Sequence, residues 1–293
     1  MQFSDKVISK TREIGVPLCL GLDPHPNLIP KIFNKNSSEC NIKSVENFLF
    51  EIIELSNAKI VAIKPQVAFF ELLGPKGLSL LIKISNFARE KNILVIMDAK
   101  RGDIGTTSKA YANAWLGENA CYPSDALTVN PWMGIETLNP FIEVSEETNS
   151  GIFILLKTSN PGSSDLQDLN INNKPLYIHL AEKLHQISNK CLGKFGYSNI
   201  GMVVGATKPN EAILIRENLP NSLFLIPGYG AQGATARDAL SGLIKRNHVY
   251  EGGLINSSRK ILFPEGSYNV GNIKTWKQLI KASLEEMLND LKG

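Results

Sequence analysis

The sequence predicts an α/β fold, a (β/α)8 (TIM) barrel of eight parallel strands with extra N- and C-terminal helices. Three observations lead there. Short apolar runs recur at intervals of about 25 to 45 residues, room for a helix and two loops between successive strands. A length of 293 residues suits one such barrel. Polar residues and glycines gather just after the apolar runs, as in Asp23-Pro24, Lys64-Pro65, Asp98 to Asp103, Asn130-Pro131, Thr158 to Gly162, Gly205-Ala206-Thr207 and Pro227-Gly228. A barrel carries its active site at the C-terminal ends of all its strands, whereas an open doubly wound sheet concentrates it at one switch point. The repeated pattern favours the barrel, as a single domain over residues 1–293.

A helix over residues 4–13 precedes the first strand, 17–22. The helix over 45–57 follows, with Val45, Phe48, Ile52, Ile53 and Leu55 on its apolar face. The next strands are expected at 60–63, 93–97, 126–129, 152–156, 200–204 and 223–226, each a short run bounded by polar or turn residues. An eighth lies within 248–256, diluted by Gly252-Gly253. The last helix spans about 273–291, with Ile273, Trp276, Leu279, Ile280, Leu284, Met287, Leu288 and Leu291 spaced by three and four. Residues 159–174 form the longest polar stretch, the length and composition of a lid or disordered loop.

Composition excludes several functions. The net charge is +3 and the Lys and Arg residues are scattered, so neither nucleic acid nor an anionic membrane is expected as a partner. No apolar run reaches 18 residues, and no signal peptide is expected from the N-terminal pattern; a reduced, cytoplasmic setting is the expectation. Cys19, Cys40, Cys121 and Cys191 form no CxxC pair and no zinc spacing. Cys19 sits in an apolar run as a small core residue. His25, His179, His185 and His248 show no metal spacing and are expected on the surface or on helices. Trp115, Trp132 and Trp276 are expected in the core or an interface. Asn130, Trp132 and Met133 follow the fourth strand, where a site role is open, and Tyr229 is expected to line its glycine-rich loop.

The chemistry is expected at Asp98, Lys100 and Asp103, behind the apolar run 93–97. On a strand, residues i and i+2 share a face, so Asp98 and Lys100 project together, with Asp103 a turn further on to complete an acid–base–acid line. A structural ion pair is the alternative, but buried ion pairs contribute little net stability. Asp23 and Lys64 end the first and second strands, so a barrel brings them to the same mouth. A lysine among carboxylates is held as the ammonium. It is then a poor nucleophile and a competent proton donor to a carbanion. A carboxylate beside it repels an anionic substrate group, and the repulsion vanishes when that group leaves as CO2. The pattern suits decarboxylation with proton replacement.

Gly228-Tyr229-Gly230-Ala231-Gln232-Gly233 contains GxGxxG, but no strand ending in an acid follows about 20 residues on, against a dinucleotide site. After the seventh strand of a barrel, such glycines suit a phosphate. Arg259, after the eighth, is a natural bidentate phosphate ligand.

Together these residues resemble the orotidine 5′-phosphate decarboxylases over nearly the whole chain. The resemblance rests on Asp98-x-Lys100-x-x-Asp103-Ile104-Gly105, Leu20-Gly21-Leu22-Asp23-Pro24, Ile63-Lys64-Pro65, Thr158-Ser159-Asn160-Pro161-Gly162, the 227–233 loop and Ser258-Arg259. The length, Lys64-Pro65-Gln66 and Thr158 to Pro161 are most similar to the longer branch of the family, found in many bacteria and malaria-type parasites. The resemblance implies a (β/α)8 homodimer with shared active sites, a nucleotide monophosphate substrate, and no metal or organic cofactor. It implies that Asp23 and Lys64 bind ribose hydroxyls, that Lys64 also joins the charged catalytic network, that Asp98 sits against the substrate carboxylate, and that Lys100 protonates C6. Asp103, with Ile104 and Thr107, would enter the partner's site. Ser159 would contact the pyrimidine amide, and Gln232 and Arg259 would hold the phosphate. Thr158, Pro227 and Ser258 are further substrate-binding candidates. Mg2+-dependent phosphosugar decarboxylases and aldolases share Asp-x-Lys-x-x-Asp but carry a further acid near the second strand end, where this chain has Gln66. A class I aldolase needs a neutral lysine. A non-catalytic nucleotide-binding barrel would not need every catalytic position filled.

Overall fold

The computed structural model describes residues 1–34, 41–230 and 232–292; Cys40, Ala231 and the terminal Gly293 lie outside the described residues. Eight parallel strands close into a barrel: Leu18–Leu22, Ala62–Pro65, Leu94–Arg101, Ala126–Val129, Gly151–Lys157, Ser198–Val204, Ser222–Ile226 and Gly253–Ser257. Each pairs with the next in sequence, and the last pairs with the first. Their Val-, Ile- and Leu-rich runs are buried on both faces, as a sheet wrapped in helices requires.

Helices return the chain between strands and bury one stripe against them. Ile42–Ser56 lays Val45, Phe48, Leu49, Ile52 and Ile53 on the barrel, and the Asn41 side chain caps its start by accepting from the Ser44 N–H. The C-terminal helix, Ile273–Asp290, buries Trp276, Ile280, Leu284 and Met287 and is capped by Asn272. The N-terminal helix, Phe3–Ile14, has another task. Its Phe3, Val7 and Ile8 join Cys19, Ala62, Ile96, Phe153 and Leu225 in one core cluster. Phe3 meets Phe153 edge-on at 5.9 Å. This cluster lies toward the strand N-termini, so the opposite end of the barrel carries the cavity.

Four expectations are corrected. The third strand does not stop at residue 97 but runs on through the charged residues to Arg101. The second begins at Ala62 and extends to Pro65. Residues 248–256 divide into the arm of an antiparallel hairpin, Ile244–Arg246 with Val249–Glu251, and the barrel strand that begins at Gly253. Residues 159–174 are not a structureless lid. They hold a 3-10 turn at Pro161–Asp165 and a small hairpin, Asn170–Ile171 with Lys174–Pro175. The buried Lys157 ammonium anchors this segment to Asp168 at 2.5 Å.

Candidate active site

A cavity of about 390 Å³ opens at the C-terminal ends of the strands. Asp23, Lys64, Asp98, Lys100, Thr158, Ser159, Pro227, Gln232, Ser258 and Arg259 all line it. They come from the first, second, third, fifth, seventh and eighth strand ends, so barrel closure alone brings them together. Asp103, Ile104 and Thr107 do not line the cavity of their own chain. The acid–base–acid line expected within one chain is therefore not formed. Past Arg101 the chain leaves the strand, and Asp103 instead accepts from the N–H of Ile104 at 2.7 Å, just before the helix Gly105–Leu116.

Asp98 is the hub. Lys64 Nζ donates to its Oδ2 at 2.6 Å and Lys100 Nζ to its Oδ1 at 2.6 Å. Gln66 Nε2 adds a bond to Oδ2 at 3.1 Å, and Thr128 Oγ1 donates to Oδ1 at 3.0 Å. Burial by itself would push the Asp98 carboxyl up, but the Lys64 and Lys100 ammonium groups outweigh it and hold the acid well below the usual carboxylate range. Burial likewise disfavours the Lys64 ammonium, yet the charges of Asp98 and Asp23 outweigh it and raise its pKa. The result is a buried carboxylate locked in its charged form between two cations.

Regular strand alternation does not explain how Lys100 meets Asp98. Strand pairing shifts register between Met97 and Arg101, and Lys100 sits at φ +50°, in the left-handed region that side chains rarely adopt. Its N–H donates to Thr128 Oγ1 at 2.9 Å, which fixes the bulge. The bulge re-aims the ammonium back onto the carboxylate two residues earlier.

On the far side, Gly21 has no room for a side chain: a Cβ there would lie 1.8 Å from Ser258 Oγ. This close approach seats Ser258, the residue before Arg259, against the first strand. Asp23 Oδ1 is buried with no hydrogen-bond partner among the described residues, as are Asn256 Oδ1 and Ser257 Oγ near the eighth strand end.

Among the lining residues that escape the sequence reading as site members are His25, Gln66, Thr128, Asn160, Asn256 and Phe263. His25 is half-buried and packs edge-on against Phe69 at 4.4 Å, beside Phe263. Thr128 carries the one usable sequence signal, a lone hydroxyl inside the apolar run Ala126–Val129. Gln66 stands two residues beyond Lys64, and its role depends on the neighbouring strand. Trp115 and Trp276 are core, as expected, whereas Trp132 is 69% exposed. Tyr229 lines the cavity and donates its hydroxyl to Asp290 of the C-terminal helix. Among the described residues no three His, Cys, Asp or Glu side chains converge as metal ligands, and no helix is long and apolar enough to cross a membrane.

The sequence and fold have clear relatives. A family model described as Orotidine 5′-phosphate decarboxylase / HUMPS family matches residues 16–265. The chain is 37% identical over 304 residues to an orotidine 5′-phosphate decarboxylase of Rhodopirellula baltica, covering 100% of both chains. It is 42% identical over 261 residues to one of Clostridium perfringens, covering 88% of each. Among solved structures, the OMP decarboxylase of Leishmania donovani superposes with a TM-score of 0.76 at 28% identity, covering 100% of this chain and 99% of that one.

Proposed function

The chain belongs to the orotidine 5′-phosphate decarboxylase / HUMPS family, and from that premise we infer that it converts orotidine 5′-phosphate to uridine 5′-phosphate in pyrimidine biosynthesis, with Lys100 supplying the proton. It is an enzyme, a carboxy-lyase. The observation that carries the mechanism is the Asp98 carboxylate, fixed as an anion at 2.6 Å from both Lys64 and Lys100. A substrate carboxylate placed against Asp98 is repelled there. When the C6–CO2 bond breaks, CO2 leaves without the bonding electron pair. That pair stays on C6 and takes a proton from Lys100 Nζ. No cofactor is needed to balance this step.

The other lining groups bind. The buried, unpartnered Asp23 Oδ1 and the ammonium of Lys64 suit ribose hydroxyls. Arg259 and Gln232, with Ser258 and Pro227 beside them, suit the 5′-phosphate, while Thr158 and Ser159 flank the base. Enzymes of this rate class lower barriers by roughly 20 kcal/mol. Binding energy at the remote phosphate contributes by holding the carboxylate against Asp98.

The working unit is a homodimer with shared sites. Ile104 is 62% exposed, Trp132 69%, and Asp103 and Thr107 sit beside Ile104 outside their own cavity. A second copy covering this apolar face would place Asp103 in the neighbouring cavity. The chain works as one barrel domain, in the cytoplasm, where its free Cys19, Cys121 and Cys191 stay reduced.

Ultraviolet loss of orotidine 5′-phosphate on adding pure protein with EDTA tests the reading. Rapid loss supports it. No loss overturns it, and loss only after Mg2+ is added assigns the chain to the Mg2+-dependent chemistry of the phosphosugar enzymes.

A further inference from the structure

We propose that Asn160 is a specificity-determining residue that donates from its side-chain N–H2 to a carbonyl oxygen of the base, and that Gln167, outside the cavity, is the positioning residue that sets this polarity through Thr158. The inference rests on the functional reading above and adds a residue pair to it.

One donor in this chain of hydrogen bonds has a fixed identity. The backbone N–H of Thr158 can only donate, and it donates to Gln167 at 2.9 Å, so the receiving atom is Oε1. The other end of the Gln167 amide is then Nε2, and it faces Thr158 Oγ1 at 2.9 Å. An amide nitrogen is a donor, so the Thr158 oxygen accepts there, and its own proton goes to the next acceptor. That acceptor is Asn160 Oδ1, at 2.7 Å. Three hydrogen bonds thus run with one polarity from the backbone outward. They leave Asn160 with its oxygen engaged by Thr158 and its Nδ2 free, on a residue that lines the cavity. Among the described residues Asn160 Nδ2 donates to none.

The segment behind this relay is tied down at two further points. Residues 167 and 168 clasp residues 158 and 157 side by side, because Asp168 also holds the fully buried Lys157 at 2.5 Å. Thr207 Oγ1 donates to the Ser159 carbonyl at 3.2 Å, which ties the loop to the sixth strand end. A donor held this way meets a substrate acceptor without an ordering cost at binding.

The test is a double-mutant cycle with Asn160→Ala, Gln167→Glu and the double variant, reading kcat and KM for orotidine 5′-phosphate and Kd for UMP. Asn160→Ala should raise KM and Kd by roughly tenfold with kcat nearly unchanged, because the contact is equal in ground and transition states. Gln167→Glu keeps an acceptor for the Thr158 N–H but presents a second acceptor to the Thr158 hydroxyl. The proton turns away from Asn160, whose amide is released, and KM rises severalfold. In the Asn160→Ala background Gln167→Glu should add nothing. Multiplicative effects, or a Gln167→Glu variant with wild-type KM, overturn the inference. Should Gln167→Glu unfold, Thr158→Val cuts the same relay while keeping the backbone bond to Gln167, and the same non-additivity is required of it. UMP carrying sulfur at position 2 or 4 checks the base assignment. One of the two should bind less well to wild type but not to Asn160→Ala; equal penalties in both proteins overturn it. A wild-type protein without turnover overturns the functional reading and this inference together, whereas additivity in an active wild type overturns this inference alone.

Discussion

At the cavity floor one carboxylate, Asp98, accepts from four side chains, Lys64, Gln66, Lys100 and Thr128. Removing either ammonium leaves a buried anion short of compensation, which is costly. Lys100→Ala should abolish turnover while the Kd for UMP changes little, since Lys64 still holds Asp98. Measurable retained turnover would sink the proton-donor role. The pH dependence follows from the signs of the two shifts. The Asp98 pKa is depressed, so its contribution is complete above the unfolded value of about 4 and is lost only as pH falls through the lower folded value. The Lys64 pKa is raised, so its contribution is complete below the unfolded value of about 10.4 and is lost as pH rises through the higher folded value. Between those limits the pair stays charged. A profile of kcat/KM from about pH 5 to 9 should therefore show an acid limb from the substrate phosphate, near 6, and none from this pair. An ionisation in kcat that shifts in Lys64→Arg would contradict this.

Single elements explain why the site's parts were unequally legible. The apolar run ending at Met97 marks the third strand, but not its continuation to Arg101, because apolar patterning is blind to charges that are paired across strands. Asp98 and Lys100 stay in the sheet only because Lys64 and Thr128 on the adjoining strands receive them. The Lys100 bulge is likewise invisible, since a lysine carries no local signal for φ +50°. Gly21 is the opposite case. Its lack of a side chain is a necessity, and Gly21→Ala should push Ser258 and Arg259 outward, weakening UMP binding while far-ultraviolet circular dichroism stays native. Unaltered UMP affinity would contradict that. Arg216 shows an element held by one residue. It donates to the carbonyls of Leu219, Pro220, Ser222, Gly242 and Gly252, lies 3.6 Å over the Phe224 ring, and burial lowers its pKa to about 10. It staples the seventh strand's entry to the loop before the eighth. Arg216→Met should cost about 3 kcal/mol or more. For a chain of this size that lowers the thermal midpoint by roughly 5–10 °C. A drop under about 2 °C would show that the carbonyls find other donors.

At the scale of the molecule, Asp103 and Lys100 are expected to serve different sites. Lys100→Ala and Asp103→Ala should each be inactive alone. Mixed, unfolded and refolded together at equal amounts, they form hybrids with one intact site of two. Half the dimers are hybrids, so the mixture should regain about a quarter of wild-type activity. A mixture that stays inactive would place both residues in one site. Trp132→Glu should yield a monomer by sedimentation, native in circular dichroism and without activity; a fully active monomer would sink the shared-site reading. The sequence by itself determined the eight strands, the clustering of Asp23, Lys64, Asp98, Lys100 and Arg259 at their C-terminal ends, and the family. Period and residue type are local properties, and strand ends share a mouth in any barrel. Only the tertiary structure decided that Thr128 and Gln66 complete the Asp98 network, that His25 packs at the cavity wall, and that residues 159–174 are pinned through Lys157. Each of these depends on contacts between residues far apart in sequence, set by register and burial, for which one chain read end to end carries no sign.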